Sequence, residues 1–327
     1  MKVNKRITQS VVIGGGSWGT TIALGLINNN KNTILITSSS KNNQNEKFSK
    51  LQISERYDEI IPKCDLIIFA VPSHGLRKSV AKISPYISPH TLVLSATKGL
   101  ENSTNKISTT VISEELINLI PKKQIGVMSG PNLAKEIQEN KIALTTIAYP
   151  EISNAKIVQN YFSSKIFRPY TSTDLIGVQY GGSLKNIIAI ASGFLDQSNY
   201  GDNSKSSLLV RGLNEMKILG VSQGAKEETF YGLSGIGDLI TTCYSNLSRN
   251  YQFGVLISDG FSVNQAKAKI VQTIEGIDTA RSAYNLGKKN NLELPIIYSI
   301  YKVIHKNSSP EEVISKLMSR TLKEESP

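Results

Sequence analysis

The sequence feature that most constrains the fold of this chain is a group of closely spaced glycines near its start. The run Gly14-Gly-Gly-Ser-Trp-Gly19 follows the β-branched segment Ser10–Ile13 and precedes a segment, 17–30, whose apolar residues have helical spacing. The first glycine of such a turn allows a tight bend, the second, Gly16, lets the backbone approach a pyrophosphate, and the third lets helix and strand pack closely. Strand, glycine turn and helix in this order predict a dinucleotide-binding unit rather than a merely flexible loop.

Short β-branched runs alternate with longer polar or helical stretches through the first half of the chain, which is typical of a doubly wound parallel sheet. After Phe167-Arg-Pro-Tyr170 the pattern changes to consecutive helices, and 327 residues are enough for two domains. We therefore expect an α/β protein with an N-terminal Rossmann-like dinucleotide-binding domain, 1–172, followed by a mostly α-helical substrate-binding and catalytic domain, 173–327. The predicted strands are Ser10–Ile13, Thr33–Ile36, Asp65–Val71, Thr91–Ser95, Gln124–Ser129 and Ile142–Ala148.

Capping residues and glycines mark the expected helix ends in the second domain. The last helix is predicted to start with Ser309 as its cap, Pro310 at its first position, and Glu312 completing a capping box. The other helices are predicted to be separated by glycine turns. These turns are placed at Gly201, Gly212, Gly220, Gly232 to Gly237, and Gly260.

Cysteine and histidine usage argues against a metal centre. Cys64 and Cys243 lie far apart without Cys-x-x-Cys spacing, which supports neither a disulfide framework nor a thiolate site and favours a reducing compartment. His74, His90 and His305 are scattered, so that no two imidazoles share one helical face. We expect no metal, and a zinc-dependent dehydrogenase is disfavoured.

The chain is basic, with 37 Lys and Arg against 26 Asp and Glu and a formal net charge of +11. The basic residues are dispersed and no nucleic-acid motif is present, so we expect no nucleic-acid partner, although a phosphorylated substrate would be attracted. The basic start, Met1–Arg6, lacks the apolar region of a signal peptide, and apolar stretches such as Ile187–Ala191 fall far short of the ~20 residues of a spanning helix. These features predict a cytoplasmic protein with no integral membrane contact.

The end of the second predicted strand bears on the choice between NAD and NADP. An acidic residue about twenty positions after the glycine turn would bind the ribose 2′-hydroxyl of NAD. The sequence there is Thr37-Ser-Ser-Ser-Lys41, which has no carboxylate to repel a 2′-phosphate and has a lysine that could bind one. NADPH is slightly favoured over NADH, and a solvated polar loop is the alternative interpretation.

Further segments, in this order and spacing, resemble the bacterial NAD(P)-dependent glycerol-3-phosphate dehydrogenases over nearly the whole chain. The resemblance implies reversible hydride transfer between NAD(P)H and dihydroxyacetone phosphate, giving sn-glycerol 3-phosphate for phospholipid synthesis, in a homodimer or other homo-oligomer. The segments are GGGSWGT (14–20), Ala70-Val-Pro-Ser73, Ala96-Thr-Lys-Gly-Leu100, Gly130-Pro-Asn-Leu-Ala-Lys-Glu136, Gly182-Ser-Leu-Lys-Asn-Ile187, Gly201-Asp-Asn203 with Arg211-Gly212, Gly232-Leu-Ser-Gly-Ile-Gly-Asp238, and Ser248-Arg-Asn250.

Lys185 is the strongest candidate for catalysis. The segment after it, Asn186–Leu195, carries no charge on any helical face and is therefore predicted to be a buried helix that starts near the lysine. An unpaired buried ammonium is costly, so we expect a partner or a lowered pKa, unless the side chain reaches solvent from the first turn. The resemblance implies that Lys185 protonates the substrate oxygen as hydride reaches the carbon, and accepts that proton in reverse.

Lys98 and Asp238 are expected beside Lys185. Lys98 follows the predicted strand Thr91–Ser95, which places it at the carboxyl edge of the sheet, where open α/β folds bind ligands. Two lysines near one site would also lower each other's pKa. Asp238 by itself could be a helix cap, but the resemblance implies that it orients Lys185 and binds a substrate hydroxyl.

The remaining expected contacts come from the resemblance. Ser248, Arg249 and Asn250 could be a helix cap and a solvated arginine, yet together they offer a hydroxyl, a guanidinium and an amide to one phosphate. Glu275 alone would be a helix-surface charge. The expected substrate-binding residues are Lys98, Gly130, Asn132, Lys185, Asp238, Ser248, Arg249 and Asn250, and the expected cofactor-binding residues are Gly14, Gly16, Ser17, Trp18, Gly19, Lys98, Ala134, Arg249 and Glu275.

The sequence departs from the family's pattern at two places, and two other functions are consistent with its motifs. Ser39 stands where the family usually has an arginine, and the segment 42–61 is shorter than its family counterpart; both lie on the adenosine side. The enzymatic alternative is another two-domain reductase acting on a hydroxyacid or acyl thioester. A redox sensor that binds dinucleotide without turnover is the non-enzymatic alternative, and the retention of Lys98, Lys185 and Asp238 disfavours it.

Overall fold

An eight-stranded sheet organises the N-terminal part of the protein. The computed structural model describes residues 6–37, 50–322 and 324–325. The strand order is β3-β2-β1-β4-β5-β6-β7-β8, and every neighbouring pair is parallel except the antiparallel pair β6 and β7. The strands are β1 Ser10–Ile13, β2 Thr33–Ile36, β3 Gln52–Ser54, β4 Leu66–Phe69, β5 Leu92–Ser95, β6 Ile125–Ser129, β7 Ala143–Ala148 and β8 Phe167–Ser172.

All six predicted strands are present, some of them shortened at their ends. β1, β2, β4, β5 and β6 are fully buried, which explains their continuous β-branched runs. The prediction missed β3 and β8, which form the two edges of the sheet. β3 has only three residues, none of them buried, and β8 contains Pro169, whose missing N–H only an edge strand tolerates.

Helices cover both faces of the sheet and continue into the C-terminal part. The first helix begins at Ser17 directly after the glycine turn, as predicted, and ends at Asn28. The helices are α1 Ser17–Asn28, α2 Tyr57–Ile60, α3 Ser73–Ile83, α4 Ser108–Glu115, α5 Ala134–Gln138, α6 Ile152–Phe162, α7 Leu175–Gln197, α8 Gly201–Ser222, α9 Asp238–Tyr244, α10 Arg249–Ser258, α11 Val263–Lys269, α12 Glu275–Lys289, α13 Pro295–Lys306 and α14 Pro310–Met318.

The long helix α7 lies at the centre of the helical part. Seventeen of its 23 residues are buried, and it packs against α8, α9, α10 and α12. Its contact with α10 is very close, because a Cβ on Gly193 would lie 2.0 Å from the Tyr251 carbonyl oxygen and a Cβ on Gly254 would lie 1.9 Å from that of Ile190. Glycine at both positions therefore sets the spacing of the two helices.

Three local predictions for this part are wrong. Gly212 and Gly220 lie inside α8 and not in turns, where their missing side chains make room for Ile188 and for the ring of Phe230. Ser309 caps α14 by accepting from the Glu312 N–H, but its hydroxyl donates to Glu311 and the expected capping box with Glu312 does not form. Gly201 and Gly260 have positive φ and do mark helix ends.

The part of the chain that the structure describes contains no helix that is both long and apolar enough to cross a membrane.

Candidate active site

A cleft of about 1040 Å³ opens at the carboxyl ends of the central strands, between the sheet and the helical part. It exceeds the usual size of a small-molecule pocket, as a dinucleotide together with a substrate would require. Its walls carry residues from both parts of the chain. Most of the predicted site residues line it, namely Gly14, Gly16, Ser17, Trp18, Lys98, Asn132, Ala134, Lys185, Ser248, Arg249, Asn250 and Glu275.

The glycine turn forms one end of the cleft. Gly14 has φ +122°, and a Cβ there would lie 2.6 Å from the Ala70 carbonyl oxygen, so that only glycine fits. A Cβ on Gly19 would lie 2.0 Å from the Gly14 oxygen, which explains why Gly19 is buried between helix and strand and does not line the cleft. A Cβ on Gly16 would meet no atom within 4 Å. The turn is therefore packed tightly at Gly14 and Gly19 and open towards the cleft at Gly16. This geometry allows a pyrophosphate to approach the backbone.

Lys185 lies in the middle of α7, whereas the sequence predicted it at a helix start. The helix begins ten residues earlier, at Leu175, because Asp174 caps it through the Gly177 N–H. The side chain does not reach bulk solvent: Lys185 is 5% exposed, and its Nζ donates to Asp238 Oδ1 and to Thr242 Oγ1. The expected partner of the buried ammonium is therefore present.

The pKa of Lys185 is lowered from its usual value to about 7. Burial is the largest cause, because it disfavours the charged form, and the nearby Lys98 ammonium adds to it. The carboxylate of Asp238 opposes both. A lysine with such a pKa is present near neutral pH both as the ammonium, which can donate a proton, and as the amine, which can accept one.

Asp238 joins the two lysines. It is the first residue of α9, is 1% exposed, and accepts from Lys185 with Oδ1 and from Lys98 with Oδ2 at 2.8 Å. Lys98 also donates to the Gly130 carbonyl oxygen at 3.1 Å. A cap role does not explain Asp238, since its side chain points to the two ammonium groups. Lys98, Lys185 and Asp238 therefore lie together, as expected from the sequence.

Thr242 completes this cluster and was missed by the sequence analysis. Its hydroxyl accepts from Lys185 Nζ at 2.6 Å and donates to the Asp238 backbone oxygen at 2.6 Å. Its spacing could have predicted this position, because a residue four positions after Asp238 in a helix lies on the same face as Asp238. Thr242 fixes the direction in which the Lys185 ammonium points.

Ser248, Arg249 and Asn250 are located at the start of α10. Ser248 does cap this helix, accepting from the Tyr251 N–H at 3.3 Å, and it also lines the cleft. Arg249 is exposed to the cleft and has no hydrogen bond or ion pair among the described residues. The amide of Asn250 is engaged within the protein, donating to Asn186 Oδ1 and accepting from the Gly276 N–H, both at 2.9 Å. Arg249 is therefore the available cation of this group, and Asn250 ties three helices together.

The turn after β6 supplies Gly130, Asn132 and Ala134. Gly130 is buried and reaches the site only through the bond from Lys98 to its carbonyl oxygen. Asn132 Nδ2 donates to the Leu144 oxygen at 3.0 Å, while its Oδ1 is buried without a hydrogen-bond partner in the described part of the chain. Ala134 begins α5 and lines the cleft. An unpaired acceptor at Asn132 is costly unless a ligand uses it.

Glu275 links the two halves of the cleft and is not a helix-surface charge. It begins α12, and its carboxylate accepts from the Ser73 hydroxyl at 2.8 Å and from the Ser73 N–H at 3.3 Å. Burial raises the pKa of Glu275, and the Ser73 bonds oppose this. Ser73 is at the start of α3, so Glu275 places α12 against the dinucleotide-binding part.

Two predictions on the adenosine side cannot be followed in the structure. Ser39 and most of the segment Thr37–Lys41 lie outside the described residues, as does the first part of 42–61. Thr37 itself lines the cleft. Among the described residues no group of His, Cys, Asp and Glu could hold a metal ion.

Comparisons with known proteins give matches over nearly the whole chain. The family model for the N-terminus of NAD-dependent glycerol-3-phosphate dehydrogenase matches residues 9–155, and the model for its C-terminus matches residues 174–315. Glycerol-3-phosphate dehydrogenase [NAD(P)+] of Francisella tularensis subsp. novicida is 35% identical, covering 96% of this chain and 98% of its own, and that of Clostridium botulinum is 38% identical with the same coverage. The crystal structure of glycerol-3-phosphate dehydrogenase from Coxiella burnetii superposes with a TM-score of 0.88 at 30% identity, covering 96% of this chain and 99% of that one.

Proposed function

The chain belongs to the NAD-dependent glycerol-3-phosphate dehydrogenase family, and on that premise we propose that it catalyses the reversible reduction of dihydroxyacetone phosphate to sn-glycerol 3-phosphate with NADH or NADPH. The observation that carries this proposal is the buried cluster of Lys185, Asp238 and Lys98, whose two lysines line one cleft with the glycine turn and Arg249. Proton transfer, dinucleotide binding and phosphate binding are then possible within one site.

Lys185 is the proposed catalytic acid and base. Reduction of the ketone adds a hydride to carbon and a proton to oxygen, and the bound nicotinamide cofactor supplies the hydride. Lys185 holds the proton at Nζ and gives it to the carbonyl oxygen; in the reverse direction Nζ takes it from the alcohol. A pKa of about 7 makes both directions accessible near neutral pH. Asp238 and Thr242 keep the ammonium directed at the cleft.

Substrate binding is proposed for the groups around this cluster. Arg249 and Ser248 bind the phosphate, because the guanidinium makes no hydrogen bond or ion pair to a described residue and is suited to phosphate oxygens. Lys98 and Asp238 contact the substrate oxygens, and the unpaired Oδ1 of Asn132 accepts from a substrate hydroxyl. The proposed roles of Gly130 and Asn250 are indirect: Gly130 anchors Lys98, and Asn250 holds the start of α10.

Two observations support cofactor binding at the glycine turn. The open side of Gly16 leaves room for a pyrophosphate, and the buried Nε1 of Trp18 has no hydrogen-bond partner in the described part of the chain. The residues therefore fit a dinucleotide. The proposed contacts of the dinucleotide are Gly14, Gly16, Ser17, Trp18, Lys98, Ala134, Arg249 and Glu275, and Gly19 acts indirectly by letting α1 pack closely behind the turn.

Several finer assignments are part of the same proposal. The sequence at Thr37–Lys41 favours NADPH slightly over NADH. A division into domains 1–172 and 173–327 is supported by the end of β8 at Ser172 and the cap of α7 at Asp174. We further propose a cytoplasmic homodimer whose product is used in glycerophospholipid synthesis. Sedimentation velocity tests the dimer, and parallel kinetics with the two cofactors tests the preference.

The decisive experiment is an absorbance assay with purified protein and dihydroxyacetone phosphate. We expect oxidation of NADH and NADPH, with glycerol 3-phosphate as the product. If neither cofactor were oxidised, the proposed function would be wrong.

Replacing Arg249 distinguishes this function from that of a reductase for hydroxyacids or acyl thioesters. Arg249→Ala should lower kcat/KM for dihydroxyacetone phosphate by about 10² or more, since a charged hydrogen bond to phosphate is lost. Unphosphorylated dihydroxyacetone lacks this contact and should lose much less. Equal losses with the two substrates would favour the alternative reductase.

A further inference from the structure

A buried lysine that plays no part in the proton-transfer cluster lies near the turn that carries Ser248. Lys205, in the second turn of α8, is only 5% exposed. Its Nζ donates to Asp196 Oδ2 at 2.5 Å. It also lies 4.0 Å from the ring centroid of Tyr244 and 5.5 Å from that of Tyr251. One carboxylate and two aromatic faces thus compensate for the burial of this ammonium.

The two tyrosines stand on either side of one short turn. Tyr244 is the last residue of α9, and Tyr251 is the third residue of α10. The residues between them, 245–250, include Ser248 and Arg249, which line the cleft. The hydroxyl of Tyr251 also donates to Asp196 Oδ2 at 2.8 Å. Lys205 and Asp196 therefore contact both ends of the segment that presents the proposed phosphate-binding residues.

The turn has further supports, some of them local and some from other helices. Ser248 N donates to the Ser245 oxygen at 2.9 Å, and Gln252 Nε2 donates to the Asn246 oxygen at 2.7 Å. These bonds shape the turn, and the bonds of Asn250 to Asn186 of α7 and to Gly276 of α12 hold its C-terminal end. Asp196, near the end of α7, and Lys205, near the start of α8, add a connection between the two tyrosines and α8.

We propose that Lys205 is a positioning residue for substrate phosphate binding: with Asp196 and the rings of Tyr244 and Tyr251 it ties the turn 245–250 to α8, in addition to the packing of α10 on α7, and so helps to place Ser248 and Arg249. The proposal rests on the proposed function, because it assumes that these two residues bind the substrate phosphate. Lys205 contacts neither substrate nor cofactor and acts only through the turn.

The test compares Lys205→Met with Lys205→Arg. We expect Lys205→Met to raise KM for dihydroxyacetone phosphate about tenfold or more, because misplaced donors lose their charged hydrogen bonds, while kcat stays within about threefold. KM for the cofactor and kcat/KM for unphosphorylated dihydroxyacetone should stay near wild type. Lys205→Arg keeps the charge and the stacking on the rings, and should recover most of the loss.

The same helix offers a matched control. Lys217 also pairs with a carboxylate, Glu227 at 3.0 Å, and lies 6.0 Å from the ring of Tyr231, but it touches no part of the turn 245–250. Lys217→Met should leave every kinetic constant unchanged. Tyr244→Leu provides a second test at an exposed position, where folding is tolerant, and should raise KM for the phosphorylated ketone several-fold.

Separate outcomes identify which proposal fails. No turnover by the wild-type protein would refute the function itself. An active wild type with unchanged KM in Lys205→Met and Tyr244→Leu would refute the positioning role alone. Equal losses of kcat/KM with phosphorylated and unphosphorylated ketone would also refute the positioning role. A lower midpoint of thermal unfolding in Lys205→Met without a change in KM would refute it as well, since a merely structural lysine would give either result.

Discussion

At the scale of single residues, the proposed chemistry depends on one lysine whose burial lowers its pKa. Lys185 is buried, and its ammonium shares the Asp238 carboxylate with the ammonium of Lys98. Oxygen atoms of Asp238 and Thr242 accept its hydrogen bonds. Burial and Lys98 favour the neutral amine, while Asp238 favours the ammonium. The balance places the pKa of Lys185 at about 7, where the group can act in both directions of the reaction.

Replacing Lys185 by alanine should lower kcat by about 10² or more, because the transferred proton loses its donor. Dinucleotide binding should persist, since the glycine turn is untouched. Trp18, the one tryptophan of the chain, lines the cleft beside that turn, so its fluorescence should report the binding of NADH or NADPH directly. Near-normal turnover with unchanged fluorescence titrations would contradict the role of Lys185.

The pH dependence should follow the same lysine. Reduction needs the ammonium, so kcat/KM for the ketone should fall as pH rises through about 7, and oxidation of glycerol 3-phosphate, which needs the amine, should show the opposite trend. Asp238→Asn removes the group that raises the pKa of Lys185, and should move both midpoints to lower pH as well as lower the rates. Unmoved midpoints in this variant would show that another group titrates.

At the scale of elements, glycines inside helices determine how closely the site-bearing helices approach. Gly254 of α10 lies against the Ile190 oxygen of α7, and this contact places α10, with Ser248 and Arg249 at its start, beside the helix of Lys185. Sequence reasoning treats an interior helix glycine as a break or a weakness, as it did at Gly212 and Gly220. In the fold these glycines are packing positions.

Gly254→Ala should destabilise the protein by about 2 to 3 kcal/mol, because a Cβ would lie 1.9 Å from a backbone oxygen that cannot move freely. Gly25, on the exposed face of α1, is the control: its Cβ would meet no atom within 4 Å. Gly25→Ala should stabilise by about 0.5 to 1 kcal/mol through helix propensity. Chemical denaturation measures both, and a harmless Gly254→Ala would refute the close-approach argument.

At the scale of the whole molecule, the active-site cleft lies between the sheet and the helical part, in the electrostatic field of a strongly basic protein. The formal net charge is +11, and the cleft itself carries Lys98, Lys185 and Arg249. Such a field favours the approach of anionic ligands and is screened by salt. The interface between the two parts is held near the site by the bonds of Glu275 and Asp238.

Ionic strength should therefore affect the two ketone substrates differently. Raising salt from about 0.05 M to about 0.5 M shortens the screening length and should raise KM for dihydroxyacetone phosphate several-fold. KM for the uncharged dihydroxyacetone should change little, which makes it the internal control. Parallel increases with both substrates would indicate a general salt effect on the protein instead of screening of the field.

The sequence by itself determined the features whose physical cause is local. Buried β-branched runs predicted six strands, and the spacing of Gly14, Gly16 and Gly19 predicted the turn that opens α1, because steric demands on a few neighbouring residues dictate both. Local sequence patterns failed to predict the elements that depend on residues far away in the chain. β3 and β8 were missed because strand pairing, and not local pattern, makes them strands.

Tertiary structure alone decided the electrostatics and the geometry of the site. Lys185 and Asp238 are 53 positions apart, and only the packing of α9 against α7 brings them together and buries them. A charge pattern in the sequence cannot reveal a pKa of about 7, because burial, its largest cause, depends on the surrounding helices. The site of Lys205 likewise exists only because α8 folds back against α7 and α9, which places one ammonium against two rings that lie far from it in the sequence.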